Sequence, residues 1–374
     1  MAKAVYVGVG SKARKMKKAY IGIGGKARKV KKMYIGVGGK ARLCYSAELE
    51  RYGMAAALST TRYDMRAATV GKYALFAGGY ISKSSFGYSV SSSVDAYNTS
   101  LTKSTPTELS CKRCGHAAAS VGGYALFAGG ASSYNILGFY ENLVSAVDAY
   151  DASLTRSAAH IIGATVAIGG AAVGNYALFA GGTVYSQINK DNVTSDVLAY
   201  DPSLTFTTAP LLSVARANVK GASAGNYALF AGGRAGSFCT TVDAYNASLT
   251  RTTATALSST KNNSAAATVG NHAIFVGNTA SADIYDASLT KTSAAILSTA
   301  RTGLAATTVG DYAIFSGGGV ADFCDASLTR SSIGTSMTGY DMGAATIGDY
   351  ALFAGGHSGE KSDTAYDSVE VYTA

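Results

Sequence analysis

Short apolar runs alternate with glycine-containing turns along most of the chain. The run Tyr-Ala-Leu-Phe-Ala-Gly-Gly begins at Tyr73 and recurs at Tyr124, Tyr176, Tyr227 and Tyr350, with variants beginning at His272 and Tyr312. Successive starts lie 51, 52, 51, 45, 40 and 38 residues apart. A small-residue run ending in a glycine turn precedes each copy, as in Ala67-Ala68-Thr69-Val70-Gly71. A third run follows: Val94 to Tyr97, Val147 to Tyr150, Val197 to Tyr200, Val242 to Tyr245, Ala282 to Tyr285, Ala321 to Cys324 and Val369 to Tyr372. After six of these come a turn and a fourth run, as in Asp151-Ala152-Ser153-Leu154-Thr155-Arg156. Four short strands per unit of about 40–50 residues predict an all-β, seven-bladed β-propeller with four-stranded blades. Both faces of Tyr-Ala-Leu-Phe-Ala are apolar, as expected of a strand sandwiched between neighbouring blades.

The last unit stops one strand short at Val369-Glu370-Val371-Tyr372. At the other end, Tyr45-Ser46-Ala47-Glu48-Leu49-Glu50-Arg51 aligns with Tyr245-Asn246-Ala247-Ser248-Leu249-Thr250-Arg251. Residues near 46–58 are therefore expected to supply the outer strand of the last blade, which removes two open sheet edges. The Gly-Gly ending of the second strand and the Val-x-x-Tyr-Asp of the third resemble the kelch repeat, over roughly residues 45–374. The chain departs from that family in lacking the fourth-strand tryptophan. Leu-Thr pairs such as Leu154-Thr155 and Leu249-Thr250 stand nearby.

Residues 1–44 carry a different repeat, of period 14: Tyr6 to Arg14, Tyr20 to Arg28 and Tyr34 to Arg42. A strand of about ten residues plus a glycine turn accounts for this period and predicts a small β-meander. Residues 1–47 hold 13 Lys/Arg and no acid, so the remaining 19 basic and 23 acidic residues leave the body mildly acidic. Three short strands bury too little to be stable alone, so the arm is expected to order against other chains or copies of itself. Its candidate anchoring residues are Lys15, Lys17, Lys18, Tyr20, Arg28, Lys29, Lys31, Lys32, Tyr34 and Arg42. The tandem Tyr-Ile-Gly-Val-Gly-Gly-Lys-Ala-Arg pattern resembles a segment of phage and prophage structural proteins. That resemblance implies a component of a virion, such as a tail or baseplate part, made in a host bacterial cytoplasm. Nucleic-acid binding by the basic arm is the alternative; against it, the tyrosines sit within apolar strands rather than on an open stacking platform.

Composition narrows the chemistry. No apolar stretch is long enough for a transmembrane helix, and the first residues lack a secretory signal, so no membrane insertion is expected. Cys111-Lys112-Arg113-Cys114, with His116 nearby, offers at most part of a metal site, because zinc needs a fourth ligand. The histidines His116, His160, His272 and His357 share no motif, and Asp95, Asp148, Asp243 and Asp283 recur in nearly every unit. Recurrent acids read as satisfying turn or inter-blade hydrogen bonds, not as a catalytic set. The chain is expected to be no enzyme and to carry no cofactor or metal.

The loops between strands two and three hold 14, 16, 14, 8, 3, 2 and 12 residues in units one to seven. All of them leave the same face, so the long ones make a tall side. That side carries Tyr80, Phe86, Tyr88, Tyr134, Asn135, Phe139, Tyr140, Tyr185, Asn189 and His357. Aromatics set among Ser, Gly and Asn suit an adaptable binding surface for a host-surface glycan or protein, or a neighbouring subunit. The expected organisation is an arm, 1–44, that anchors or self-associates and a propeller, 45–374, that binds; a purely structural decoration protein is the other reading.

Overall fold

The computed structural model describes the backbone of residues 6–9, 12–15, 19–23, 26–30, 32–37, 40–46 and 48–374, apart from 85–86, 136–138, 185–191, 262–264 and 360–363. Side chains are described for 19, 21, 22, 30 and 33–36 of the arm, and for the body apart from those gaps and 82–84. Among the described residues the chain is all strand and turn, with eight four-stranded antiparallel sheets. They are blade-like and consistent with a β-propeller.

Seven of these sheets repeat one order, first strand to fourth. Sheet I consists of Arg66–Val70, Tyr73–Ala77, Val94–Asn98 and Lys103–Ser104. The first strands of sheets II to VI are Ala117–Val121, Gly169–Val173, Lys220–Ala224, Ala265–Val269 and Ala305–Val309. Sheet VII takes Gly343–Ile347, Tyr350–Ala354 and Val369–Thr373 from the end of the chain. Its fourth strand is Glu50–Ala55, paired so that Val369 faces Ala55 and Thr373 faces Glu50.

Each first strand packs against the first strand of the next sheet, and Gly343–Ile347 packs against Arg66–Val70. This explains the small residues. A Cβ on Gly170 would lie 2.5 Å from the Ala118 carbonyl oxygen, and one on Gly221 only 2.1 Å from that of Gly170. At the fourth position of these strands, hydroxyls join sheet to sheet. Ser120 donates to the Thr69 carbonyl (2.7 Å), Thr69 to Thr346 (2.8 Å), Thr346 to Thr308, Thr308 to Thr268, Thr268 to Ser223 (3.0 Å) and Ser223 to Ala172 (2.7 Å). Ala172 has no hydroxyl to hand on to Ser120.

The Val-x-x-Tyr strands fasten neighbours together farther out. The hydroxyls of Tyr97, Tyr150, Tyr200, Tyr245 and Tyr285 donate to the carbonyls of Ala56, Thr107, His160, Pro210 and Thr255. Each acceptor lies just past the fourth strand of the preceding sheet. Burial pushes these phenols well above their ordinary pKa, so they stay protonated donors.

The recurrent acids are buried in ion pairs. Asp95, Asp148, Asp243, Asp283 and Asp322 face Arg62, Arg113, Arg216, Lys261 and Arg301, which arrive from the connection into the first strand of the same sheet. A serine three residues before each cation donates its backbone N–H and hydroxyl to the same carboxylate, as Ser110 does to Asp148 (both 3.0 Å). Sheet VII uses the longer Glu370, which accepts from Ser336, Thr335, Arg51 and the Tyr372 hydroxyl. Among the described residues sheet III has no such cluster. Leu198 occupies the acid's register position, Thr165 that of the inner cation and Phe206 that of the outer one. The three changes go together, as they must, because a buried charge left without its partner is costly.

The Leu of each Leu-Thr pair has its own role. Leu101, Leu154, Leu204, Leu249, Leu289 and Leu328 all take φ between 57° and 65° in the turn between strands three and four, and their side chains pack on the cores. The preceding Asp or Asn holds the turn: the Asp151 carboxylate accepts from the Ser153 and Thr155 N–H groups at 2.8 and 2.9 Å.

In the arm the structure corrects the predicted meander. Each period-14 repeat is a separate hairpin: Tyr6–Val9 with Lys12–Lys15, Tyr20–Ile23 with Lys26–Lys29, and Lys32–Val37 with Lys40–Ser46. Two residues separate the strands of each pair, and the pairs form three distinct two-stranded sheets.

Candidate functional site

On the face where the long loops emerge, the loops of sheets I and II fold into the eighth sheet. Its strands run in the order Tyr80–Ser84, Gly87–Val90, Ala131–Tyr134 and Tyr140–Leu143, with Tyr88 opposite Tyr134. The aromatic side chains expected to be displayed there pack on one another instead. Tyr80 is buried with Tyr63, Val90 and Cys114. Ring centroids lie 5.2 Å apart for Tyr63–Tyr80, 5.5 Å for Tyr80–Tyr88, 5.2 Å for Tyr88–Tyr134 and 4.9 Å for Tyr134–Tyr140. Tyr88, Tyr134, Asn135, Phe139, Tyr140 and His357 are all half-buried. Asn135 closes the hairpin tip, accepting from the Phe139 N–H (3.1 Å) and donating to Glu141 (2.7 Å). Phe86, Tyr185 and Asn189 lie outside the described residues.

His357 leads from this cluster to a second feature. Its ring lies 4.7 Å from that of Tyr63, and its Nε2 is 3.1 Å from an Asp341 carboxylate oxygen. Asp341 and Asp64 stand in equivalent positions, two residues before the first strands of sheets VII and I, and the Asp64 N–H donates to the Asp341 carbonyl (2.7 Å). Gly115, Ala167, Asn218 and Gly303 occupy the same place in other sheets, and all six have φ between 50° and 65°. Inside this collar is a cavity of about 250 Å³, lined by residues of all seven sheets, Arg66, Gly170, Lys220, Ala266, Ala306 and Met342 among them. It continues into a section of about 390 Å³ walled by Ala, Gly, Ser and Thr.

Arg66 and Lys220 are the two charged side chains in that lining. Arg66 is fixed, with Nη1 2.7 Å from Asp64 and Nε donating to the His116 carbonyl (2.9 Å). Lys220 makes no hydrogen bond or ion pair among the described residues. Desolvation, then the Arg66 charge, pull its pKa below the ordinary value, against Asp64 and Asp341. The sequence reading missed Asp64, Arg66, Lys220 and Asp341. Their signal was a charge opening an otherwise small-residue strand, and the duplicated Tyr-Asp-Met at 63–65 and 340–342.

Arg113, within the Cys-x-x-Cys segment, pairs with Asp148, and Cys114 is buried, its thiol pushed up to about 12 by desolvation. Among the described residues no three His, Cys, Asp or Glu side chains are grouped to hold a metal. In the arm, Lys15, Tyr20, Arg28, Lys29, Lys32, Tyr34 and Arg42 lie on the hairpin strands, whereas Lys17, Lys18 and Lys31 lie outside the described residues. Ile21, Tyr34 and Ile35 are each more than half exposed. No family model and no curated protein matches the chain.

Proposed function

We propose that this chain is a non-enzymatic, virion-associated binding protein: a closed, seven-bladed, kelch-like propeller carrying a basic anchoring arm. Ring closure is supported by the cyclic order of first-strand contacts and by the six hydroxyl links running round the same seven strands. The observation that carries the functional reading is the arm. Three near-identical hairpins each pair with no further strand among the described residues, and they expose Ile21, Tyr34 and Ile35 beside a run of cations. An unpaired edge with exposed apolar groups is a template for adding strands from another chain. The long-loop face, with its eighth sheet and channel mouth, is the surface presented to a host-surface glycan or protein or to a neighbouring subunit.

Incorporation into particles, compared with and without residues 1–44, tests the anchoring role; incorporation that survives the deletion removes it. Mutual packing of Tyr80, Tyr88, Tyr134 and Tyr140 favours the second reading, a purely structural decoration protein. Host-cell adsorption by particles carrying a folded face variant separates the two. Tight DNA binding at physiological salt that disappears with the arm would support the nucleic-acid alternative, because phosphate-driven binding falls steeply with salt.

A further inference from the structure

We propose that the mouth of the central cavity binds a monosaccharide-sized polyol bearing one oxyanion, a carboxylate or a phosphate ester. The cavity, about 250 Å³, lies just below the roughly 300–1,000 Å³ of small-molecule sites, enough for one sugar ring. Its walls are largely Ala and Gly, which give room without chemistry, so specificity falls to the polar groups at the mouth. Five of the seven first strands open with Ala117, Gly169, Ala265, Ala305 or Gly343; the two exceptions are Arg66 and Lys220. Arg66 is committed to Asp64 and the His116 carbonyl. Lys220 is half-buried, faces the cavity and has no hydrogen-bond or ion-pair partner among the described residues.

An ammonium so placed has lost hydration without gaining a hydrogen-bonded counter-charge, and an oxyanion in the cavity supplies one. The remaining mouth groups reject a bare anion and favour hydroxyls. Asp341, oriented by His357, and Asp64, oriented by Arg66, are carboxylates in neighbouring sheets, able to accept sugar O–H groups. One free cation facing the cavity, together with two fixed carboxylates of the collar, therefore selects an acidic polyol over inorganic anions and neutral sugars alike. The inference concerns equilibrium binding by the isolated chain, so it stands or falls separately from the particle reading.

Titration calorimetry on the full chain, with D-glucuronate, glycerol 3-phosphate, D-glucose and inorganic phosphate as probes, tests it. Glucuronate or glycerol 3-phosphate should bind with a Kd of roughly 1–10 mM, and glucose about tenfold more weakly. Lys220→Met should weaken the acidic probe about tenfold, and raised salt should weaken it too. Lys72→Met removes the same charge from an exposed turn at the other end of the sheet I first strand and should change nothing. Asp341→Asn should weaken the acidic polyol and leave any inorganic phosphate binding intact. The better of the two acidic probes identifies carboxylate or phosphate as the group recognised. No binding of either by the folded chain, or equal binding by Lys220→Met, overturns the proposal.

Discussion

The guanidinium of Arg51 is paired with the carboxylate of Glu370, 319 residues further along the chain. Glu370 is fully buried, and its pKa is nonetheless held down: desolvation raises it, but hydrogen bonds from Thr335, Ser336, Arg51 and Tyr372 outweigh that. The pair therefore ties the start of the body to its end, within the sheet that Glu50–Ala55 completes.

A chain truncated to begin at residue 60 loses that fourth strand, Arg51, and the buried Leu49 and Leu58. It should aggregate or melt well below the full chain, because Val369–Thr373 becomes an open edge. Glu370→Gln, which keeps the strand, should cost about 1–3 kcal/mol in urea denaturation. Equal melting of truncated and full chains would show that the strand pairing carries no stability.

Sheet III supplies a natural control for the buried ion pairs. In sheet II, Asp148→Leu alone strands the Arg113 guanidinium and should destabilise by about 3–5 kcal/mol. The triple change Arg113→Thr, Asp148→Leu and Arg156→Phe removes the acid and both cations together, leaving only the Ser110 donors without their acceptor, and should cost clearly less than the single change. Denaturant midpoints of the two variants decide the matter. A triple variant as unstable as the single one would mean that sheet III relies on something other than co-replacement, such as His160 stacking on Phe206 at 4.3 Å.

Ala172 is the single gap in the run of hydroxyl links, and it is exposed. Ala172→Ser should add one hydrogen bond, from its hydroxyl to the Ser120 carbonyl, worth about 0.5–1.5 kcal/mol net. Calorimetry should read this as a rise in Tm of roughly 1–4 °C. Ser120→Ala should lower Tm by a similar amount. A lowered Tm in Ala172→Ser would show that the strands there leave no room for a hydroxyl.

The repeated Tyr-Ala-Leu-Phe-Ala-Gly-Gly run made the strand order of seven sheets legible, including the strand borrowed from residues 50–55, because both rest on local pattern and its period. The ion pairs were less legible. Ser110 to Arg113 keeps a fixed spacing in five units, but the distance onward to the acid shrinks from Arg113–Asp148 to Arg301–Asp322 as the intervening loop shortens. The eighth sheet was invisible for a different reason: Tyr88 and Tyr134 come from two units, and nothing local to either loop specifies that pairing. Their aromatic composition suggested exposure, yet Tyr80 is buried and the others cover one another. The cavity mouth failed to register because Arg66 and Lys220 belong to different units and share a lining only once the first strands have packed on one another.

The final prediction concerns His116, which is fully buried and ringed by cations. Desolvation, then Arg113 and Arg66, with a smaller push from Arg62, hold its pKa well below the ordinary value against the pull of the Ala77 backbone. It is therefore neutral in the folded chain. Above pH ~6.5 the imidazole is neutral folded or unfolded and contributes no pH dependence. Below that, the unfolded chain takes up a proton that the folded chain refuses, so stability falls as pH falls. At pH 5.5 the loss from this one group should be on the order of 1 kcal/mol relative to pH 7.5. Glu370 and Asp283, whose pKa values are lowered, give up stability only near and below the carboxylate range of about 4, so pH 5–6.5 isolates the histidine. Urea denaturation of the parent, His116→Gln and His116→Phe at both pH values tests this. Both variants should lose that increment of pH dependence whatever their absolute stability, and an unchanged increment in both would assign it to another group.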